Sequence, residues 1–471
     1  MKDLLVIGGG VGGLVTASVA GQLGLDVALV EREPRLGGDC LHYGCVPSKT
    51  LIRSAQVAQL MRRGGEFGLP SYSPQVDLGA VSDRVRAVID TIQAHDDPER
   101  FRGYGVDVLF GEARFVNPRE VQVKGERIAA RRFVIATGSR PVAPPVPGLA
   151  EAGYLTNEDV FALRELPRRL AVVGAGPVGM ELAQAFQRLG SQVTVVELAA
   201  EVMPKEEPAF AAELRAILAR EGVRFRLGAR LDRVERDRDG VTLQLRQGEE
   251  HLPLTVDRIL VAAGRAPNVE ALDLNTANVR FDRRGIGVDA RLRTSEPHIY
   301  ACGDVTGLYP FTHMAEYQAG IVIANAVFRV PKRADYRVVP WVTYTDPELA
   351  RVGLAASEAL ERYDDARVLE FPFAEVDRAL AEAEPHGRLQ LTTCRGRILG
   401  ATILGAHGGE LLHEIVLAMQ AGVKLGSLSA AIHAYPTLAQ IHRRAANTLY
   451  AEQLFSARTR RLVRWMHRLL P

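Results

Sequence analysis

The chain has 471 residues, of which 47% are hydrophobic and 24% charged, and this balance excludes a disordered or fibrous protein. The 58 Lys and Arg against 56 Asp and Glu give a formal charge of +2, which provides no general attraction for nucleic acid or a membrane. Four Cys are too few for a secreted disulfide framework, and no apolar run reaches the length of a spanning helix. Residues 4–7 begin a predicted strand, not a signal peptide, because glycines follow at once. We therefore expect a cytoplasmic protein of roughly three domains.

The first predicted unit consists of a strand, a glycine-rich turn, a helix and a second strand. The turn has the pattern G-x-G-x-x-G at Gly8, Gly10 and Gly13, and the second strand ends at Glu31. Glycines permit a tight turn and the close approach of a pyrophosphate, and the N-terminus of the following helix attracts that anion. The carboxylate at the end of the second strand accepts hydrogen bonds from a ribose. This pattern predicts a dinucleotide-binding site.

Two cysteines follow in the segment 37–49. Cys40 and Cys45 have four residues between them, a spacing that reaches disulfide distance in a bent helical turn. Pro47 suits an early helical position, a thiol at a helix start has a lowered pKa, and the charge of Lys49 adds to that effect. Zinc binding is one alternative, but the sequence has no second Cys or His pair at the spacing that a zinc site requires. A purely structural role of the two cysteines in the core is the other alternative. A redox-active pair is the favoured interpretation.

A second copy of the glycine-rich unit begins at residue 170. Its glycines are Gly174, Gly176 and Gly179, and its second strand ends at Glu197. In both units the acid follows the first glycine by 23 residues, so we expect two dinucleotides of different kinds. An acid at position 197 accepts a ribose 2′-hydroxyl and repels a 2′-phosphate, and no Arg follows it closely. This favours NAD over NADP.

The remaining elements are less specific. Later strands at 133–138 and 259–264 mark points where the chain returns to each nucleotide. Strands at 388–393 and 397–405 suggest a mixed sheet in the last domain. Cys302 and Cys394 are expected to be packing residues.

The segment 37–49, with the sequence GGDCLHYGCVPSK, resembles the active-site segment of the FAD-dependent pyridine nucleotide–disulfide oxidoreductases. The pattern is closest to mercuric reductase-like and dihydrolipoamide dehydrogenase-like members. Similarity extends over almost the whole chain and includes the segments 136–141, 264–268, 300–304 and 340–348. It implies an α/β fold with two Rossmann-like, three-layer dinucleotide-binding domains and a C-terminal α+β dimerisation domain. The implied parts are an FAD-binding part (1–148), an NAD-binding domain (149–273), a segment that returns to the FAD domain (274–339), the dimerisation domain (340–455) and a basic tail (456–471).

The resemblance also implies the roles of individual residues. Cys45 is expected to form the charge-transfer contact with the flavin, and Cys40 to face the substrate. Lys49 and Glu181 fall where the family places an ion pair near the flavin, with a surface ion pair as the alternative. The residues expected to bind FAD or NAD are Gly8, Gly10, Gly13, Glu31, Gly38, Lys49, Ala136, Thr137, Gly138, Gly174, Gly176, Gly179, Glu197, Gly264, Gly303, Asp304, Thr312 and His313. For His313, a plain role at the start of a helix is the alternative.

The sequence departs from the disulfide-reducing members at their acid–base pair. Those members carry a His directly before Pro-Thr and a Glu five residues later, and the His acts in the partner subunit's site. Here the two positions hold Tyr435 and Gln440. A phenol does not accept a proton at neutral pH, and an amide cannot support an imidazolium. His433 is an alternative base, although a packing role is favoured for it.

These features predict a homodimeric enzyme in which electrons pass from NADH through FAD to the Cys40–Cys45 pair and on to an acceptor. Tyr435 is expected to complete the partner's site. The favoured acceptor is a thiophilic metal ion such as Hg(II), although the tail lacks the C-terminal Cys pair of mercuric reductases. The alternatives are a dihydrolipoamide dehydrogenase-like enzyme or small-disulfide reductase and, from another class, a flavin-carrying electron supplier to a protein partner. No protein-bound metal is expected.

The tail is basic and amphipathic. Leu462, Trp465 and Leu469 share one face of a predicted helix. Packing on the dimer or simple solvation is the favoured interpretation, and contact with a membrane surface is the alternative.

Overall fold

The N-terminal part of the chain is built around a parallel sheet. A computed structural model describes residues 1–238 and 240–469. The elements of this part are β1 (Leu4–Ile7), α1 (Val11–Gln22), β2 (Val27–Glu31), α2 (Gly38–His42), α3 (Cys45–Arg62), α4 (Leu78–Gln93), α5 (Pro98–Gly103), β3 (Val106–Phe110), β4 (Ala113–Asn117), β5 (Glu120–Val123), β6 (Glu126–Ala129), β7 (Phe133–Ile135), β8 (Ser139–Pro141) and α6 (Leu149–Ala152). Strands β7, β1, β2 and β3 lie side by side in the parallel sheet.

Both faces of this sheet are buried, because successive side chains of a strand point to opposite sides. Leu4 and Val6 pack with residues of α1. Leu5 and Ile7 pack with Phe115 of the antiparallel sheet β4–β5–β6. A helix layer, a parallel sheet and an antiparallel sheet therefore lie on one another, which confirms the predicted three-layer arrangement.

The second glycine-rich unit repeats this architecture. Its elements are β9 (Arg169–Val173), α7 (Pro177–Leu189), β10 (Gln192–Val196), α8 (Pro208–Arg220), β11 (Arg224–Arg226), β12 (Ala229–Arg236), β13 (Val241–Gln247), β14 (Glu250–Val256), β15 (Arg258–Val261) and β16 (Arg265–Pro267). The parallel sheet has the order β11-β10-β9-β15, and β12–β13–β14 form an antiparallel sheet. Leu170 and Val172 pack with Met180 of α7, whereas Ala171 packs with Leu243 of β13.

The chain then returns to the first sheet. The elements are β17 (Phe281–Asp282), β18 (Gly285–Ile286), β19 (Ile299–Ala301) and α9 (Thr312–Val322), which continues into a π-helical segment at Ile323–Val327. Strand β19 pairs in parallel with β7, so it becomes the edge strand of the N-terminal sheet. The domain limits at residues 148, 273, 339 and 455 stay predictions.

The C-terminal part is an antiparallel sheet covered by helices. Its elements are β20 (Pro340–Thr343), β21 (Glu348–Gly353), α10 (Ala356–Arg362), β22 (Ala366–Pro372), α11 (Asp377–Ala381), β23 (Arg388–Cys394), β24 (Arg397–Gly405), α12 (Gly408–Gln420), α13 (Leu425–Ala430), α14 (Gln440–Leu454) and α15 (Ala457–Leu469). The strand order is β20-β21-β24-β23-β22, and every neighbouring pair is antiparallel.

The prediction of a mixed sheet in this part was therefore wrong. Strands β23 and β24 are joined by the two residues Arg395 and Gly396, both with positive φ (50° and 78°). Such a two-residue turn joins antiparallel strands, whereas a parallel pair needs a long crossover. Cys302 follows β19 and is fully buried, in agreement with the packing role expected for it, whereas Cys394 ends β23 and is only partly buried.

Helix α15 carries the basic tail, and all its residues except the partly buried Thr459 are exposed. The last two residues of the predicted tail segment, 470 and 471, lie outside the described residues. Within residues 1–238 and 240–469, no helix combines the length and the hydrophobicity needed to cross a bilayer.

Candidate active site

The two cysteines lie on either side of a break between two helices. Cys40 belongs to α2, and Cys45 is the first residue of α3. Gly44 makes the close approach possible, because a Cβ at this position would lie 3.0 Å from the Asp39 carbonyl oxygen and 3.3 Å from the Cα of Cys40. Both cysteines are free thiols in this structure. The N-terminal end of α3 and the neighbouring thiol therefore act on the same sulfur, that of Cys45.

The electrostatics of the pair make its two thiols different. The pKa of Cys45 is lowered to about 6, chiefly by a hydrogen bond from Cys40 that outweighs the opposing effect of burial, with smaller contributions from Thr312 and the charge of Lys49. The same hydrogen bond, together with burial, raises the pKa of Cys40 far above its usual range. The reduced pair thus holds one proton on Cys40 and carries one thiolate at Cys45 near neutral pH.

Lys49 is fixed by a carboxylate from the second unit. Its Nζ lies 2.9 Å from Oε2 of Glu181 and 4.3 Å from the centre of the Tyr344 ring. Glu181 has only 6% of its surface exposed, and its other oxygen accepts the backbone N–H of Tyr344 at 2.8 Å. Burial lowers the pKa of Lys49, but the Glu181 carboxylate more than offsets this and the net shift is upward. Lys49 is therefore a fixed cation close to Cys45.

The N-terminus of α9 faces the cysteine pair. The Thr312 hydroxyl lies 3.3 Å from the Sγ of Cys45. The neighbouring His313 bonds the Pro340 carbonyl oxygen through Nε2 at 2.8 Å, and its ring is stacked on Phe311. Burial lowers the pKa of His313, which favours the neutral ring. The structure ties His313 to the start of β20, and a flavin contact of its ring stays a prediction.

The first glycine-rich turn forms a cradle that side chains would fill. A Cβ at Gly13 would lie 1.8 Å from the Gly8 carbonyl oxygen, so glycine is needed where α1 packs on β1. A Cβ at Gly38 would lie 2.8 Å from the Cα of Gly10, which brings the start of α2 against the turn. Glu31 is buried and accepts the backbone N–H groups of residues 9 and 33.

The second turn has the same construction. A Cβ at Gly179 would lie 2.0 Å from the Gly174 carbonyl oxygen, whereas a Cβ at Gly176 would meet nothing within 4 Å. Glu197 accepts the backbone N–H groups of Ala175 and Ala199 at 2.7 and 2.8 Å. In both turns the carboxylate is oriented by backbone donors, while its remaining lone pairs are free to accept ribose hydroxyls.

The other expected cofactor residues follow the strands β7, β15 and β19 of the two parallel sheets. Thr137 bonds the Asn268 carbonyl oxygen at 2.8 Å, and Gly138, Gly264 and Gly303 have positive φ. The Ala136 carbonyl oxygen lies where a Cβ of Gly8 would clash. Together with the two cradles, these residues fit two extended dinucleotides, one at each turn.

Ser139, Arg265 and Tyr344 contact expected site residues or the segment 37–49, although the sequence analysis gave them no role. Asp304 accepts the Ser139 hydroxyl at 2.6 Å, Ser139 accepts Nε of Arg265 at 2.8 Å, and Arg265 forms an ion pair with Asp39 at 3.1 Å. Burial raises the pKa of Asp304, against the effect of the Ser139 hydrogen bond. Ser139, Arg265 and Tyr344 all lie in segments quoted for the family resemblance, and that was the only available signal.

Tyr435 lies on the loop between α13 and α14. It is 69% exposed, and none of the described hydrogen bonds or ion pairs joins it to the segment 37–49. The Glu414 carboxylate holds this loop, since one oxygen lies 3.0 Å from Nε2 of His433 and the other 2.7 Å from Nδ1 of His442. His433 has the packing environment that was favoured for it.

The three side chains Glu414, His433 and His442 bring ligand-type atoms within 4.8 Å of one another. The buried Nε2 of His442, however, has no partner among the described residues. A metal ion at Nδ1 would force a proton onto this nitrogen, where nothing accepts it. The arrangement is therefore a hydrogen-bond network that fixes the loop of Tyr435.

Two nucleotide cradles, with a thiol pair beside the first and a fixed lysine next to it, define a flavoprotein oxidoreductase. A family model described as "Pyridine nucleotide-disulphide oxidoreductase" matches residues 2–319, and the dimerisation domain of the same family matches residues 339–446. The chain belongs to this family of oxidoreductases, whose members bind FAD and use a nicotinamide cofactor. The dimerisation domain supports a homodimer.

The relatives carry different names. A mercuric reductase from Staphylococcus aureus is 33% identical over 449 residues, which are 95% of this chain and 82% of that protein. A dihydrolipoyl dehydrogenase from Thermus scotoductus is 37% identical over 464 residues, 96% of this chain and 98% of that protein. The Cu(II) complex of RclA from Escherichia coli, an HOCl-induced flavoprotein disulfide reductase, superposes with a TM-score of 0.85 at 28% identity, covering 94% of this chain and 98% of RclA. These names do not determine the acceptor.

Proposed function

We propose that this enzyme transfers electrons from NADH to a thiophilic divalent metal ion, with Hg(II) as the representative substrate. The observation that carries the proposal is the asymmetric thiol pair, because it combines a thiolate at Cys45 with a protonated neighbour at Cys40. Soft metal ions bind thiolates. A pair of adjacent sulfurs is therefore suited to binding such an ion as a substrate.

The chain has residues suited to both cofactors. The turn at residues 8–13, Glu31 and Asp304 would hold FAD, and the turn at residues 174–179 and Glu197 would hold NADH. FAD, when bound, supplies two-electron chemistry that connects a nicotinamide to a disulfide. Lys49 carries a positive charge close to Cys45, and its ion pair with Glu181 fixes the position of the Lys49 side chain. This charge favours the thiolate form of Cys45.

The proposed reaction balances in two halves. The two thiols reduce Hg²⁺ to Hg⁰, which yields the Cys40–Cys45 disulfide and two protons. The disulfide is returned to two thiols by the two electrons and one proton of the NADH hydride together with a second proton. The sum is NADH and Hg²⁺ giving NAD⁺, Hg⁰ and one proton.

The residues at the acid–base positions favour a metal over a disulfide substrate. Reduction of a disulfide requires a proton for the leaving thiolate, which an imidazole supplies well and a phenol paired with an amide does not. Tyr435 and Gln440 hold these positions. The names of the relatives agree with this preference in part, since they include a mercuric reductase and a Cu(II) complex. We propose that the Tyr435 hydroxyl contacts the acceptor in the partner's site.

A second candidate is a dihydrolipoyl dehydrogenase-like activity. The relative from Thermus scotoductus, which carries that name, is 37% identical over nearly the whole of both chains. This candidate requires another proton donor in place of the missing pair. His433 is the nearest imidazole in sequence, but its ring is hydrogen bonded to Glu414 inside the C-terminal part. An electron supplier to a protein partner remains the alternative from another class.

The test is the turnover of the FAD-loaded enzyme with NADH and different acceptors, measured anaerobically as NADH oxidation. We expect turnover with thiol-complexed Hg(II) and little with lipoamide or glutathione disulfide. Cys40→Ala and Cys45→Ser should each abolish Hg(II) turnover, whereas Cys394→Ser, a cysteine remote from the pair in the chain, should not change it. Rapid lipoamide turnover by the unmodified enzyme would contradict the proposal. No turnover with any acceptor would favour the electron-supplier alternative.

A designed gain of function sharpens the test. The double variant Tyr435→His/Gln440→Glu restores the acid–base pair of the disulfide-reducing members and should raise lipoamide turnover at least about tenfold, since general acid–base catalysis contributes about 10²–10⁴-fold. The single variant Gln440→Glu is the matched control and should gain nothing, because it lacks the imidazole. Equal gains in both variants would mean that the pair is not what limits lipoamide reduction.

We also propose NADH as the preferred donor, a homodimer in which Tyr435 faces the partner's cysteines, and a cytoplasmic location. Glu197 supports the preference for NADH through its oriented carboxylate. A reducing compartment agrees with a thiol pair that must be regenerated in its reduced form.

A further inference from the structure

Helix α15 presents a continuous apolar face that nothing in the described chain covers. Leu462, Trp465 and Leu469 recur at the spacing of one helix face and are 52%, 59% and 58% exposed. Val463 and Met466 lie beside them and are also exposed. None of the residues of α15 is buried. A helix whose apolar stripe does not pack on its own protein needs another apolar phase to cover it.

The opposite face of α15 is strongly basic. It carries Arg460, Arg461, Arg464 and Arg468, and Arg458 lies at the start of the helix. Residues 457–469 contain no acidic residue. Among the residues that the structure describes, none of these arginines forms an ion pair. The charge is therefore available to an external anionic surface.

The start of the helix is fixed by the chain itself. The backbone N–H of Thr459 donates to the Ser456 hydroxyl at 3.2 Å, as in an N-cap, and Phe455 and Ser456 separate α15 from α14. Leu454 and Phe455, just before the cap, are also exposed and extend the apolar surface. With about 1.5 Å of rise per residue, α15 is too short to cross a hydrocarbon core of about 30 Å.

We infer that α15 binds the surface of an anionic phospholipid bilayer and lies in the plane of the interface. The apolar stripe is buried at the boundary of the acyl chains, with Trp465 at the level of the headgroups, and the arginines pair with lipid phosphates. Charge complementarity favours this partner, because an anionic bilayer presents many phosphates to the arginines, whereas a second copy of the chain carries a formal charge of +2 and exerts no general attraction on them. Solvation, one of the two interpretations favoured from the sequence, leaves the apolar stripe unexplained, and packing on the dimer is the outcome that the sedimentation experiment below distinguishes.

The test is co-sedimentation of the full-length, FAD-loaded enzyme with vesicles of phosphatidylcholine, alone or mixed with phosphatidylglycerol. We expect binding to the mixed vesicles at least about tenfold tighter than to phosphatidylcholine alone, and weaker binding at high salt. The variants Leu462→Ser/Trp465→Ser and Arg460→Glu/Arg464→Glu should each weaken binding at least about tenfold. A matched control is Leu360→Ser/Arg362→Glu, which changes an exposed Leu and Arg of α10 and should bind normally.

A blue shift of tryptophan fluorescence on addition of mixed vesicles, absent in Trp465→Phe, would support burial of this side chain.

Three results would overturn the inference. The first is no binding to either vesicle. The second is binding that only the arginine variant loses, since this would indicate a polyanion contact without insertion. The third is a change from dimer to monomer in the Leu462→Ser/Trp465→Ser variant during sedimentation velocity without vesicles, since this would assign the face to a second copy.

Discussion

Removal of the Cys40 thiol should raise the pKa of Cys45, because the hydrogen bond from Cys40 is the largest cause of the low value of about 6. A hydrogen bond to a charged group is worth about 1.5–3 kcal/mol, and 1.36 kcal/mol corresponds to about one pKa unit. Since the side chain of Cys45 is partly open to solvent, we take the lower end and expect a rise of about one unit in Cys40→Ala. Cys40→Ser keeps a donor hydroxyl and should give an intermediate value.

The assay is the rate of alkylation of Cys45 as a function of pH. The enzyme is reduced, freed of reductant without oxygen and treated with iodoacetamide, and the labelled peptides are identified by mass spectrometry. Only the thiolate reacts, so the rate should rise through a midpoint near the pKa of Cys45 and level off above it. Cys394→Ser is the control for loss of a remote cysteine. The reasoning fails if Cys40→Ala leaves the midpoint unchanged, or if the unmodified enzyme already titrates like a free thiol, at about 8.5.

Three further outcomes are expected. Lys49→Met should raise the midpoint of the alkylation–pH curve of Cys45, and Glu181→Gln should lower it, each by less than about one pH unit. The reason is that the lysine lowers and the carboxylate raises the pKa of Cys45. Shifts of the same sign in the two variants would contradict this. Glu197→Ala should raise the KM for NADH about tenfold and leave that for NADPH unchanged, and equal effects in steady-state assays would remove the preference for NADH. Gly13→Ala should destabilise the protein by about 1–3 kcal/mol and lower its FAD content, measured by flavin absorbance, since its Cβ would lie 1.8 Å from a carbonyl oxygen. In Gly320→Ala, the control, the Cβ meets nothing within 4 Å; loss of FAD there would contradict the steric argument.

Local patterns in the sequence were sufficient for the two nucleotide-binding units. The strand, turn and helix around Gly8 and Gly174 follow from rules that act within a few residues, such as the need for glycine where a helix packs on a strand. The start of a helix at Cys45 was similarly local, because Pro47 fixes a backbone angle suited to the first turn. These elements lie in the structure where the sequence placed them.

Contacts between distant segments could not be predicted in this way. Nothing in the local sequence of Arg265 indicates that it reaches Ser139 and Asp39, because this contact depends on how the two units are placed relative to each other. The hydrogen bonds of Glu414 to two histidines on other elements are equally non-local. Strand periodicity does not determine the direction of neighbouring strands, but the short connection between the predicted strands 388–393 and 397–405 already required an antiparallel pair there, and the prediction of a mixed sheet overlooked it.

The position of Glu181 connects the chemistry of the site to the arrangement of the domains. Its carboxylate receives Lys49 from α3 and the backbone N–H of Tyr344 at the end of β20, while Glu181 itself belongs to α7 of the second unit. Three parts of the chain therefore meet at one buried carboxylate, which fixes the side chain of Lys49. A shift of the second unit relative to the first would take this carboxylate away from Lys49 and Cys45 and, as in Glu181→Gln, lower the pKa of Cys45. The reactivity of the thiol pair thus depends on the packing of all three parts as well as on the helix that carries Cys45.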